Sequence, residues 1–184
     1  MNARDAIELV TSWLDVTHRA SARARVAVAI QSFRRSETET LHGIDLPVGY
    51  RGSVSIHEAS HAVVGYLWGA EIVRVRVLEN GNGIVESHPD TPLGRIVGQL
   101  AGPLADLING ADESHQFVLA HSSDILSAAV EIAELSWVSN RAAATFAGCT
   151  VLENWEQINR VAVALNELGE LDGATIAAFV ARSQ

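Results

Sequence analysis

Residues 53–68 read Ser53-Val54-Ser55-Ile56-His57-Glu58-Ala59-Ser60-His61-Ala62-Val63-Val64-Gly65-Tyr66-Leu67-Trp68. At their centre stands the pattern H-E-x-x-H. On a helix, His57 and His61 lie one above the other on the same face. Two imidazoles so placed can ligate one zinc ion, with Glu58 between them positioned to take a proton from a metal-activated water. The apolar run Ala62 to Trp68 predicts that this helix continues into a core, where a metal can be held rigidly. Ser55 and Glu58 also fit the S-x-x-E capping box, in which the Glu only bonds back to the cap. A helix that begins near Ser53 instead puts Glu58 in its interior and leaves it free for chemistry.

Beyond this helix, Glu71 to Glu79 alternates Ile72, Arg74, Arg76 and Leu78 with Val73, Val75 and Val77, which predicts a strand. Asn80-Gly81-Asn82-Gly83 supplies turn residues, and Ile84 to Ser87 returns as a second strand. Such a hairpin either covers the helix or offers an unpaired edge to which an extended peptide adds. No further strand is expected. Pro92 or Leu93 starts a helix through Ile96, Val97, Leu100, Leu104 and Ile108, with a kink or break expected at Gly102-Pro103. More helices are expected over about 123–137, 140–147 and 151–168, then after Asp172, a candidate N-cap. The fold class is therefore mainly α, with a small β hairpin next to the H-E-x-x-H helix.

Upstream, Ala6, Leu9, Val10, Trp13, Leu14 and Val16 form a helix-spaced apolar stripe within residues 2–34. It suits a helix packed on its own domain, or an arm for docking an unfoldase or for self-association, with Arg19, Arg23 and Arg25 as its basic face. Ser36 to Gly52, with Gly43, Pro47 and Gly49, reads as an irregular connection. Residues 1–50 are thus separated, as helical arm and linker, from a domain over 51–184.

The 184 residues suffice for one well-packed domain, and 48% hydrophobic with only 5% aromatic residues predicts an aliphatic, helical core. The single Cys149 excludes an internal disulfide and a cysteine-based zinc site. The net charge of −9 hides an asymmetry, since residues 1–35 hold six Arg against three acids. The acidic remainder argues against nucleic-acid binding. All 13 cationic side chains are Arg; there is no Lys. With no apolar run long enough to cross a bilayer and no signal-peptide pattern, a cytoplasmic protein without a membrane anchor is expected.

Two histidines need a third protein ligand to make a catalytic zinc site. The extended pattern H-E-x-x-H-x-x-G-x-x-H is absent, because Val64 and Leu67 stand at its Gly and His positions. His88, Asp106, His115, His121, Asp124, Glu131 and Glu134 remain as candidates. Asp106 and Asp124 fall among apolar helical stretches, where an acid needs a partner or a metal. Spacing alone does not choose between them.

A family resemblance does. His57-Glu58-Ala59-Ser60-His61-Ala62-Val63-Val64 resembles the HEAGHAxx motif in the peptidase domain of the FtsH family of ATP-dependent zinc metalloproteases. Leu100 to Asp106 (LAGPLAD) is similar to that family's L-x-G-R-x-A-E segment, and Ser122-Ser123-Asp124-Ile125 to its (S/A)-N-D-(I/L) segment. Ala164-Leu165 through Glu170-Leu171-Asp172-Gly173-Ala174-Thr175-Ile176 resembles its closing A-L-x-E-x-E-T-L-D-G-x-E-I pattern. The segments keep the family's order and span roughly residues 53–180. The resemblance implies Zn2+ held by His57, His61 and Asp124, Glu58 as the base, and Asp106 orienting a ligand from behind.

The departures are specific. The P-loop pattern and its Lys are missing, Ser60 replaces a Gly, and Pro103 replaces an Arg. The segment after the hairpin is shorter than is usual in the family. The function implied is a zinc endopeptidase that cleaves flexible or unfolded polypeptides without an ATPase of its own. The alternative is an inactive adaptor that keeps the fold and the zinc. A protease dedicated to one regulatory partner is a third reading.

Overall fold

The computed structural model describes residues 2–19, 50–78, 82–110, 122–135 and 137–181. Along the chain run α1 (Ala3–Arg19), α2 (Tyr50–Leu67), β1 (Glu71–Val77), β2 (Gly83–His88), α3 (Pro92–Ile108), α4 (Ser122–Glu134), α5 (Asn140–Glu153), α6 (Trp155–Leu168), β3 (Glu170–Asp172) and α7 (Gly173–Ala181). The fold is mainly helical with one small antiparallel sheet, as the periodicities predict.

The motif helix α2 lies at the centre, against α3 on one side and α6 on another. Because α2 begins at Tyr50, Ser55 and Glu58 are both in its interior, so the capping-box role is excluded. Ala59, Ala62, Val63 and Val64 are buried in the core with Ile96, Leu100 and Leu104 of α3 and Ile158 and Leu165 of α6. Ser60 is fully buried, and its hydroxyl donates to the Ile56 carbonyl at 2.7 Å within the helix.

Thr91 caps α3 by accepting the Gly94 N–H at 3.0 Å, and Pro92 follows in the first turn, where its missing N–H costs nothing. Of the kink or break expected at Gly102-Pro103, the break does not occur: α3 is one helix through Ile108. Pro103 forfeits one hydrogen bond, while Leu100, Leu104 and Leu107 around it are fully buried and hold the next turn in place. Helices α5 and α6 meet at Asn154, which ends the first and opens the second, so the gap expected after residue 147 is helical.

The sheet contains a strand the alternation did not reveal. Its order is β2-β1-β3, with β3 pairing Leu171 to Val75. Three residues are too few to display a period, and β3 exists because Leu171 buries its side chain there. Asp172 still acts as expected, accepting the Thr175 N–H at 2.8 Å at the start of α7. Among the described residues, β1 is paired on both sides and β2 is an edge. The hairpin's connecting residues 79–81 lie outside the described set, as do residues 20–49 of the expected arm and linker.

Helix α1 packs on α3, α4 and α5. Ala6, Val10 and Leu14 of its stripe are fully buried in the same core, whereas Val16 is exposed. No helix among the described residues is long and apolar enough to cross a membrane.

Candidate metal centre

Helical spacing stacks His57 and His61, and their Nε2 atoms stand 2.9 Å apart. Asp124, in the first turn of α4, brings Oδ2 to 3.4 Å from His57 Nε2 and 3.6 Å from His61 Nε2. A tetrahedral zinc with bonds of 2.0–2.1 Å separates its ligand atoms by about 3.3 Å, so these spacings suit one small ion bound by all three. The trio is a group that could hold a metal, its ligand atoms all within 4.8 Å of one another.

The far sides of the rings support the same conclusion. His57 Nδ1–H donates to Asp106 Oδ2 at 2.8 Å, and His61 Nδ1–H donates to the Gly98 carbonyl at 2.7 Å. A carbonyl only accepts, and an ionised carboxylate only accepts, so both rings carry their proton on Nδ1 when neutral. Two Nε2 lone pairs and a carboxylate oxygen therefore converge on one point. Electron pairs at these distances repel unless a proton or a metal cation lies among them.

The electrostatics agree in sign. Burial opposes a charge on His57, but hydrogen bonds to Asp106 and Asp124 outweigh it and the pKa is pushed up to about 10. Burial also opposes ionisation of Asp124, yet hydrogen bonds from His57 and His61 hold its carboxyl well below the usual range. The helix N-terminus beneath Asp124 favours the same ionised state. Asp106→Asn, which removes the charge behind His57, is expected to weaken divalent-cation binding about 10- to 100-fold in competition with a chromophoric chelator.

Glu58 lies in the same pocket and is 8% exposed. Burial raises its pKa, and the nearby His61 and His57 only partly offset this.

Glycines set how closely the elements approach. Gly94, Gly98 and Gly102 recur every four residues along α3 and meet, in turn, the Trp68 carbonyl, the Gly65 backbone and the imidazoles of His57 and His61. A Cβ at Gly102 would overlap His61 Nε2 and collide with the His57 ring. Gly83, at the start of β2, lies as close to the Glu58 carboxylate. Gly98, Gly102 and Gly83 were not among the residues singled out by chemistry, although the G-x-x-x-G-x-x-x-G spacing in α3 was visible.

The structure thus brings together His57, Glu58, His61, Asp106 and Asp124. The other ligand candidates go elsewhere. His88 is exposed at the end of β2, and Glu134 is exposed on α4. Glu131 pairs with Arg95 at 2.8 Å and accepts from Gln99 at 3.2 Å. His115 and His121 lie outside the described residues. No protein-family model matches the chain, and no curated protein sequence matches it.

Proposed function

We propose that the chain is a zinc-dependent endopeptidase related to the FtsH peptidase domain, acting on flexible or unfolded polypeptide. The observation that carries this reading is the convergence of His57, His61 and Asp124 with both imidazole Nδ1 protons already bonded away from the site. A zinc ion held there would supply Lewis acidity, polarising a peptide carbonyl and lowering the pKa of a water. Glu58 takes the proton of the attacking water and returns it to the departing amine. The raised pKa of its buried carboxyl suits a group that must both accept and release. Asp106 and the Gly98 carbonyl keep the two rings in the tautomer that ligation needs.

The outer edge of the sheet would serve as the substrate track. Val77 donates its N–H to Gly169 on the β3 side, so its pairing with Gly83 is a non-hydrogen-bonded one. The N–H and C=O groups of Gly83, and of Val85 two residues on, then face the outer edge of β2, where an extended peptide can pair. Gly83 adjoins Glu58, so a peptide on that edge starts beside the base.

Flexible or unfolded polypeptide, free or delivered by an unfoldase, is the substrate class this reading assigns. Docking or self-association through α1 would use its outward side, since Ala6, Val10 and Leu14 face the core. A reducing compartment, the cytoplasm, suits the lone exposed Cys149. The test pairs elemental analysis with cleavage of an unfolded substrate such as casein. One zinc per chain with chelator-sensitive cleavage is expected. One zinc per chain without cleavage of any unfolded substrate would replace the peptidase by a metal-bearing binding protein.

A further inference from the structure

We propose that Gly83 is a positioning residue for Glu58, an inference that rests on the hydrolytic reading just given. The space a Cβ would fill at Gly83 is the space the Glu58 carboxylate occupies. The three atoms such a Cβ would meet first are Glu58 Cγ, Cδ and Oε1, and it would overlap all three. None belongs to His57, His61 or Asp124.

Backbone conformation gives no competing reason for glycine here. Among the described residues, positive φ occurs only at Gly69, Gly110 and Gly169, so an alanine at 83 is compatible with the local chain path. The position of Gly83 is itself well determined. It pairs with Val77 in the β1–β2 ladder, and the Leu78 N–H donates to the Asn82 carbonyl at 2.7 Å just before it. Strand β2 is thus a wall for a side chain that springs from α2. A glutamate has three rotatable bonds, and a wall against its carboxylate limits the rotamers it can adopt. Bare backbone at 83 lets that wall stand close enough to select the rotamer without displacing it.

The two site glycines therefore do separable things. Gly102 accommodates the ligands, and Gly83 accommodates the base. A side chain at 83 would move the carboxylate while the metal ligands stay where they are.

The experiment is a double-mutant cycle between positions 58 and 83 in the full chain, read by thermal melting, zinc content and peptide hydrolysis. Gly83→Ala should keep one zinc per chain, lose hydrolysis by about 100-fold or more, and melt about 2–6 °C lower. In a Glu58→Ala background, which removes all three contacted atoms, adding Gly83→Ala should shift melting by less than about 1 °C and leave residual hydrolysis unchanged. Should Gly83→Ala fail to fold, a folded Glu58→Ala/Gly83→Ala protein carries the same conclusion. Equal melting losses in both backgrounds, failure of both to fold, or wild-type turnover in Gly83→Ala would overturn the proposal. The melting cycle is independent of turnover: if the wild type cleaves nothing, the hydrolytic reading fails while the cycle still decides the contact.

Discussion

Glu58→Gln is expected to hold one zinc per chain and to lose peptide hydrolysis by about 100- to 10,000-fold. Glutamine has the shape of glutamate, so the packing against Gly83 survives, but its amide cannot take a proton at neutral pH. The group that could hold a metal is His57, His61 and Asp124, and Glu58 is not part of it. Separation of metal content from turnover is therefore the signature of a base, as opposed to a ligand or a packing residue. Zinc would be measured by elemental analysis after gel filtration, and hydrolysis on a quenched unfolded substrate. Undiminished hydrolysis by this variant would end the assignment of Glu58.

Gly102→Ala should act on the metal itself, lowering its affinity by about 100-fold or more. The added methyl would stand where the ligating edges of both imidazoles lie. Neither ring can simply retreat, because Asp106 and the Gly98 carbonyl pin the opposite nitrogens. Helices α2 and α3 must then separate, or the rings must give up their hydrogen bonds. Overpacking of this kind costs about 1–3 kcal/mol, a fall in melting temperature of several degrees in a chain of this size. Gly65→Ala is the matched control, since a Cβ there meets Ile72 at 3.6 Å and Ala70 at 3.7 Å, ordinary contacts. Zinc retention by Gly102→Ala equal to that of Gly65→Ala would show that the two helices do not meet as closely as described.

How much was legible depended on the range of the interaction. The helical stripes and the β1–β2 hairpin are local patterns and were readable from periodicity alone. Strand β3 was not, because its three residues are recruited by Val75, about a hundred residues earlier. The continuity of α3 through Pro103 went against the local rule, since the core around Leu100 and Leu104 outweighs one missing hydrogen bond. His57, Glu58 and His61 could be read as a unit because four-residue spacing is a helix property. Asp124 could not be distinguished by spacing from six other candidates. What brings it to the histidines is the packing of α4 on α3, which no short motif encodes. The glycine repeat in α3 was visible, but its meaning needed the identity of the opposing surface.

The ligands are distributed unevenly along the chain. His57 and His61 share α2, but Asp124 comes from α4, with the hairpin and all of α3 in between. An ion bound by the three is consequently a cross-link that closes a long loop, in a chain whose one cysteine cannot form an internal disulfide. Such a link restricts the unfolded chain only while the ion is bound. Occupancy and folding are then thermodynamically linked: raising free metal stabilises the native arrangement of α2 and α4, and withdrawing it removes that stabilisation.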